Sequence, residues 1–581
     1  MAKIIYTCVR NLADMPKYQQ RLDAALQKLV PNNIPNAACR YYQQHGIAYG
    51  ISAWLPGIEE KNGSVCMGLA YGDNDAWYKP NTPLPDGTYA IFRSDNNYTE
   101  AASDAAGSRA IWYYFDEEVF IASTSQRAII NVVGKFEFDR RVLPWMLSSG
   151  TLGPSLSWCS NLQQLPPGAT ACLNRHNWSL KIKTSSIPYQ PVQASEEEHR
   201  HRMQQAMVQA FKAIDIDLSK WILPISGGYD SRGILCLLHE AGKNISALNA
   251  ITWGLKAALK DKATDAFVGT KVAETAGLKH QYFATDHTKA SVEEVFERFV
   301  QCGEGRVDHI PAYLDGFALW KYIYETGCNG VLRGDESFGW HSSGSEISSR
   351  LMNCYTFCND YSNLEDFEEL SGEKQFIPTQ LNRKKNETLS TWTDRLYEEF
   401  SIPVQMSALN DLKLAYTEVI NPLLSRQIIA CTHSLPDELR LDKKLFKEMV
   451  NGFLPKVDFA KKQATAKEEN LFKTAEAVNI MRNEIAEPYM RQLFPEVLIN
   501  RVLDGLSSTV PARKNDLKES VKNGIKNMLP DSIKEKIRSK MPKPALDNGI
   551  LAFRMYLAGK THQMLCHDIK ELSDAKYLEP A

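Results

Sequence analysis

The chain offers little to a membrane, a nucleic acid or an oxidising compartment. None of its 581 residues lies in an apolar run approaching the ~20 needed to span a bilayer. Lys+Arg 67 against Asp+Glu 69 leaves a formal net charge of −2, so there is no electrostatic case for nucleic acid or an anionic surface. The opening MAKIIYTCVRNLADMP lacks a long apolar signal core. Cysteines number 12, spread without dense spacing and without a C-x-x-C pair, a pattern that suits reduced thiols in a cytoplasm. Cys354 and Cys358 form an isolated C-x-x-x-C with no second Cys/His pair at metal spacing, so they are expected to pack rather than bind zinc. There is no Walker G-x-x-x-x-G-K-[ST], no internal repeat and no low-complexity tract. What remains is an ordinary globular composition, 44% apolar and 23% charged, on a chain long enough for more than one domain.

The most informative stretch is Trp221 to Leu238, WILPISGGYDSRGILCLL. A short apolar run ends at Ile225. Ser226, Gly227 and Gly228 follow, then Asp230 and Ser231, and from Arg232 the apolar spacing suits one face of a helix. A strand, a tight loop and a helix start present backbone N–H groups without intrahelical partners, which suit a phosphate. Paired glycines let the backbone approach that anion. Asp230 beside a phosphate implies a cation between them, and Mg²⁺ prefers one or two carboxylates plus phosphate oxygens. The plainer alternative is a sharp turn with Asp230 as a helix cap. A second candidate is Gly330 to Glu336, GVLRGDE, a strand ending in Gly334, Asp335 and Glu336. On a parallel sheet its end shares an edge with the first loop, so Asp335 could face Asp230 across one site and complete the Mg²⁺ shell. The lysines at 443, 444, 447, 461 and 462 read as solvated helix residues.

Around these motifs the chain divides. Residues 1–190 are expected to be β-rich, with strands at Gly46–Trp54, Ser64–Tyr71, Gly87–Arg93, Ala110–Phe115, Val119–Ala122 and Trp178–Ile182. Ser185–Glu198 is a polar, proline-containing linker running into a helix from about Glu196. From Trp221, strands at Ser246–Trp253, His280–Phe283 and Gly330–Leu332 alternate with helices at Thr264–Ala276, Val292–Cys302 and Ala312–Thr326. That alternation predicts a parallel sheet with ligands at the carboxyl ends of its strands. Beyond about 345 the chain is mostly helical to the end.

These residues resemble the synthetase domain of class B asparagine synthetases, a superfamily that includes β-lactam synthetases and lasso-peptide cyclases. S-G-G-Y-D-S at Ser226–Ser231 resembles its pyrophosphatase loop, T-W-G at Thr252–Gly254 the strand end that contacts adenine, and V-L-R-G-D-E-S-F-G at Val331–Gly339 its second acidic motif. E-V-I-N-P-L-L at Glu418–Leu424 is similar to a degenerate form of a further segment, and Leu454-Pro455 to Lys462 to the stretch carrying the family's catalytic lysine. Earlier, Asp86–Ile91, Asp104–Arg109, Phe120–Ser123 and Leu165–Gly168 resemble the glutaminase domain. The resemblance implies an α/β protein: an Ntn-hydrolase-like αββα sandwich over 1–190, then an ATP-dependent parallel-sheet synthetase domain over 200–581. It implies ATP and Mg²⁺ as cofactors. Ile225, Ser226, Gly227, Gly228, Asp230, Ser231, Thr252, Trp253 and Gly334 would hold the nucleotide, Asp230 and Asp335 the metal, and Lys462 or Lys461 would be catalytic.

Two departures shape the expected activity. The family's glutaminase needs cysteine directly after the initiator methionine, where its freed α-amine is the base; here that position is Ala2, and Cys8 cannot present both groups without cleavage. The first domain is therefore expected not to hydrolyse glutamine. In the acidic motif Gly334 runs straight into Asp335, about three residues short of the family pattern, so the base for amide formation is open between Glu336, Glu418 and a helical-domain residue. The expected reaction activates a carboxylate as an acyl-adenylate, releasing pyrophosphate, and joins it to an amine carried by a small-molecule or peptide substrate, giving a lactam or macrolactam. The alternatives are amidation of a small acid by ammonia or a free amine, and a regulatory homologue without turnover. Sulfur transfer or nucleic-acid modification fits less well with the neutral charge. Neither nucleic acid nor membrane is an expected partner; a homodimer or a biosynthetic partner protein is compatible.

Overall fold

The computed structural model describes residues 3–55, 57–72, 75–286, 290–453, 457–465, 471–508 and 543–575. Ala2, Leu454 and Pro455 lie outside them.

The first part carries two six-stranded antiparallel sheets. One runs Gln163–Gln164, Trp112–Phe115, Val119–Ser123, Lys3–Val9, Ile47–Ser52, Arg40–Gln44. The other runs Ser179–Thr184, Ala169–Asn174, Tyr98–Ser103, Asp86–Ser94, Ser64–Tyr71, Glu59–Lys61. Side chains alternate across a strand. From Lys3–Val9, accordingly, Ile4, Tyr6 and Cys8 enter a core shared with Val65, Met67 and Phe92 of the second sheet, while Ile5 and Val9 face helices Met15–Lys28 and Gln126–Val133. On the outer face of the second sheet Cys66, Tyr89, Ile91 and Ala102 pack with Trp77, Tyr78 and Leu84. On the face of Ala90 and Phe92, toward the start of their strand, Thr88 Oγ1 donates to Asn421 O, and the Arg426 N–H donates to Asp86.

The third sheet is five-stranded and parallel throughout. Its spatial order is Lys279–Ala284, Asn249–Gly254, Trp221–Pro224, Gly330–Leu332, Glu418–Ile420. The chain lays down strands outward from Trp221–Pro224 on one side, then returns to lay Gly330–Leu332 on the other. Such a reversal opens a crevice beyond the carboxyl ends of the two strands that flank it, the usual ligand position in an open α/β sheet. The crossover helices start at capping residues: Thr264 Oγ1 accepts from Phe267 N, and Ser291 with Glu294 forms a capping box. The remainder is helical, closed by the Asn548–Ala575 helix, which packs back on the first part. Among the described residues no helix is long and apolar enough to cross a membrane.

Candidate nucleotide site

The crevice is built from two loops. Trp221–Pro224 is buried between Asn249–Gly254 and Gly330–Leu332, and the Ile225 N–H still donates to Ile251 O at 2.8 Å. The chain then folds on itself. Ser226 N–H donates to Ser231 Oγ at 3.0 Å, and Gly228 N–H to Ser226 Oγ at 3.2 Å. Gly227 N–H donates to Asp265 at 3.2 Å. Thr252 Oγ1 donates to Ile225 O at 2.7 Å and contacts His280 Nε2 at 2.9 Å, so the neighbouring strand fixes where the loop begins. The Tyr229–Glu240 helix follows with Gly228 at its N-cap and no capping side chain, leaving the first-turn N–H groups to another acceptor. Trp253, one residue on from Thr252, takes the opposite face and sets its ring 5.9 Å from Trp320.

The second loop reaches this helix directly. A Cβ on Gly334 would lie 3.0 Å from Asp230 Cβ and 3.4 Å from Ser231 N, so the two backbones sit close and a side chain here would need its neighbours to give way. Lys443 Nζ contacts Asp230 Oδ1 at 2.9 Å and Glu336 Oε1 at 2.7 Å. Burial raises the pKa of Glu336, with the Lys443 ammonium opposing it. For Lys443 burial disfavours the charge, but Glu336 and Asp230 outweigh it and the pKa is raised. Asp335 turns to Arg333 at 3.2 Å and accepts from Asn410 at 3.2 Å. Tyr397 is buried near all three carboxylates, and its pKa is raised by burial and then by their charge. Residue Glu336, placed among the candidate bases, is therefore the carboxylate that shares a cation with Asp230, while Asp335, placed as a metal ligand, is held beside them.

Lys443 gets there through packing. Lys443 stands just before the Lys444–Phe453 helix, whose Phe446 and Val450 lie against Gly233. Phe446 stacks on Phe338 at 4.1 Å and lies where a Cβ on Gly233 would be, 2.4 Å from its ring. Gly233 stands one helical turn after Asp230, so this close helix contact delivers the lysine to the aspartate.

Two expectations are corrected. Lys461 and Lys462 are not helical. Both their backbone N–H groups donate to Ala263 O, which turns Lys462 outward to Asp261 at 2.9 Å, with side chains 62% and 43% exposed. Glu418 begins its strand level with Gly330, at the amino edge of the sheet and away from the crevice, and pairs there with Arg109, each 2% exposed. Residues 457–465 form an irregular strap over the first loop. Ala460 packs on Gly227, Phe459 stacks on Tyr229 at 3.9 Å, and Arg232 donates to Val457 O at 2.6 Å and Asp458 O at 2.7 Å.

No family model matches the chain, and no curated protein matches it. Among 27 matching chains of solved structure is the glutamine phosphoribosylpyrophosphate amidotransferase of B. subtilis, complexed with ADP and GMP. It is 9% identical with a TM-score of 0.20, over 48% of this chain and 65% of that one. The matched part thus spans slightly less than two thirds of the amidotransferase. So distant a likeness fixes neither family nor activity.

Proposed function

We propose that the chain is an ATP-dependent, amide-forming ligase that activates a carboxylate as an acyl-adenylate. The observation that carries this is the meeting of Asp230 and Glu336 on Lys443 at the uncapped start of the Tyr229–Glu240 helix. Two separate sequence segments thereby bring carboxylates, an ammonium and backbone donors to one sheet crevice, as phosphate chemistry requires. The donor set of Asp230, Asp335 and Glu336 is all oxygen and suits Mg²⁺, which would offset phosphate charge there.

The chain's own groups have distinct parts. The first-turn N–H groups of the Tyr229–Glu240 helix receive the phosphates. Lys443 passes from the carboxylates to the phosphates and offsets charge as pyrophosphate leaves. The carboxylate substrate forms a bond to the α-phosphorus while the bond to the β-phosphate oxygen breaks. An amine then bonds to the acyl carbon, AMP departs, and the amine loses a proton. The strap at 457–465 shields the adenylate from water. Lys462 is engaged with Asp261, whereas Lys443 already sits between the carboxylates, so Lys443 is assigned the role. The first part is proposed not to release ammonia from glutamine. In support, Cys8 is sealed between the sheets and burial raises its pKa, the reverse of an activated thiol.

Product analysis tests this. With ATP, Mg²⁺ and an acid panel, AMP and pyrophosphate should form, and Asp230→Ala should abolish both. ADP and phosphate as products would exclude the mechanism.

A further inference from the structure

A cavity of about 1160 Å³ lies outside the nucleotide crevice. Its walls come from both ends of the chain: 105–106, 164–167 and the 184–191 linker on one side, 380–404 and 429–438 on the other. Small-molecule pockets run to roughly 300–1,000 Å³, so this one exceeds what a small amino acid fills.

Its inner end touches the acidic loop. Glu398 lines the cavity and accepts from Ser337 Oγ, the residue after Glu336. It also binds His433 Nε2 at 2.7 Å, and Tyr189 stacks on His433 at 3.7 Å. Beside Glu398, Tyr397 is buried within reach of the charges of Glu336, Asp335 and Asp230. Glu398 and Tyr397 belong to a ten-residue π-helix, Tyr397–Met406, with Pro403 inside it. The i→i+5 winding is rare and clusters at functional positions. Gln164 of the first part donates to Pro403 O at 2.9 Å, tying the two walls together.

The lining is acidic. Arg395 is held by Glu387 at 2.7 Å and Glu399 at 3.0 Å, and Asp437 is held by Arg440. Glu438 has no ion pair among the described residues, and the side chain of Glu399 is 44% exposed. Five carboxylates thus face Arg395, Lys384 and His433.

We propose that this cavity binds a cationic, peptide-sized amine and offers it to the carbonyl activated next door, and that the first part of the chain is kept as one wall of that chamber. The amide-forming role rests on the ligase assignment above; the binding does not.

The probe is pentalysine, titrated calorimetrically into the full chain, with acetylated pentalysine as its uncharged counterpart. Pentalysine should bind and the acetylated form should not. Glu399→Gln/Glu438→Gln should weaken binding at least about tenfold, whereas Glu368→Gln/Glu369→Gln, the same charge change on a remote exposed helix, should stay within about twofold. Asn386→Trp, which narrows the mouth from an exposed position, should also weaken it and guards against misfolding of the double variant. No binding to wild type, or equal binding to all variants, overturns the proposal. Mg²⁺ with an ATP analogue is titrated in parallel: failure there, with the peptide pattern intact, removes the ligase assignment and leaves a cationic-peptide site.

Discussion

A single ammonium ties the site together. Without it Asp230 and Glu336 would face each other as like charges in a partly buried crevice. Lys443→Ala should therefore lower AMP formation by about 10²–10³-fold, the range for losing one preorganised charge-stabilising group. Lys462→Ala should cost far less, because its side chain points to Asp261 in solvent. Equal losses in the two variants, measured as initial rates, would contradict that assignment. His433 carries a second prediction. Burial disfavours its charge, but Glu398 outweighs burial and its pKa is raised; Glu398 is lowered in turn. The histidine's contribution is then fully present below its unfolded pKa of about 6.5 and lost as pH rises through the folded value. The Glu398 contribution is lost in the other direction, as pH falls below the carboxylate range. His433→Gln should cost about 3 kcal/mol near pH 6, with the gap to wild type narrowing as pH is raised past neutrality. Denaturant melts across that range check it; a gap that widens with pH would refute the pairing.

Between elements, the contact that matters is Phe446 against Gly233. Gly233→Ala places a methyl 2.4 Å from a ring already stacked on Phe338, and so should lower stability by about 1–3 kcal/mol and displace Lys443 from Asp230. A variant with unchanged Tm and unchanged rate would show that the helices do not meet this way. Elements also show what the sequence discloses. Ser64–Tyr71 and Gly330–Leu332 are found within the bounds their apolar runs predict, and Glu196–Lys212 starts where Ser195 caps it. Tyr98–Ser103 and Ala169–Asn174 escape notice because YTEAAS and ATACLN are built of small residues and owe their strand form to neighbours on both sides. The two motifs flanking the crevice are legible because glycine and carboxylate must fall at fixed places in a strand-loop unit. Lys443 is not, since its role comes from a helix–helix contact formed far along the chain. Glu418 misled for the opposite reason: the motif around it is a strand, and the strand's direction puts the acid at the wrong edge.

Across the whole molecule, buried charges pin the first part to the later one. Arg109 pairs with Glu418, Lys3 with Asp411 at 3.1 Å, and Arg127 with Asp568 at 2.7 Å. Removing one partner strands the other in a dry interface, so Glu418→Ala should cost about 3–5 kcal/mol and unfolding should remain one transition. Two separated transitions in wild type would show that the parts fold independently. Interlocking of this kind explains why a sandwich with a sealed Cys8 is retained: it supplies interface and cavity wall. The nucleotide crevice remains the claim on which the rest depends. A crystal structure with an α,β-methylene ATP analogue and Mg²⁺ tests it most directly. The account predicts phosphates on the first-turn N–H groups of the Tyr229–Glu240 helix, the metal against Asp230 with Asp335 or Glu336, and Lys443 turned to the phosphates. A nucleotide bound elsewhere, with Lys443 still bridging Asp230 and Glu336, would contradict it.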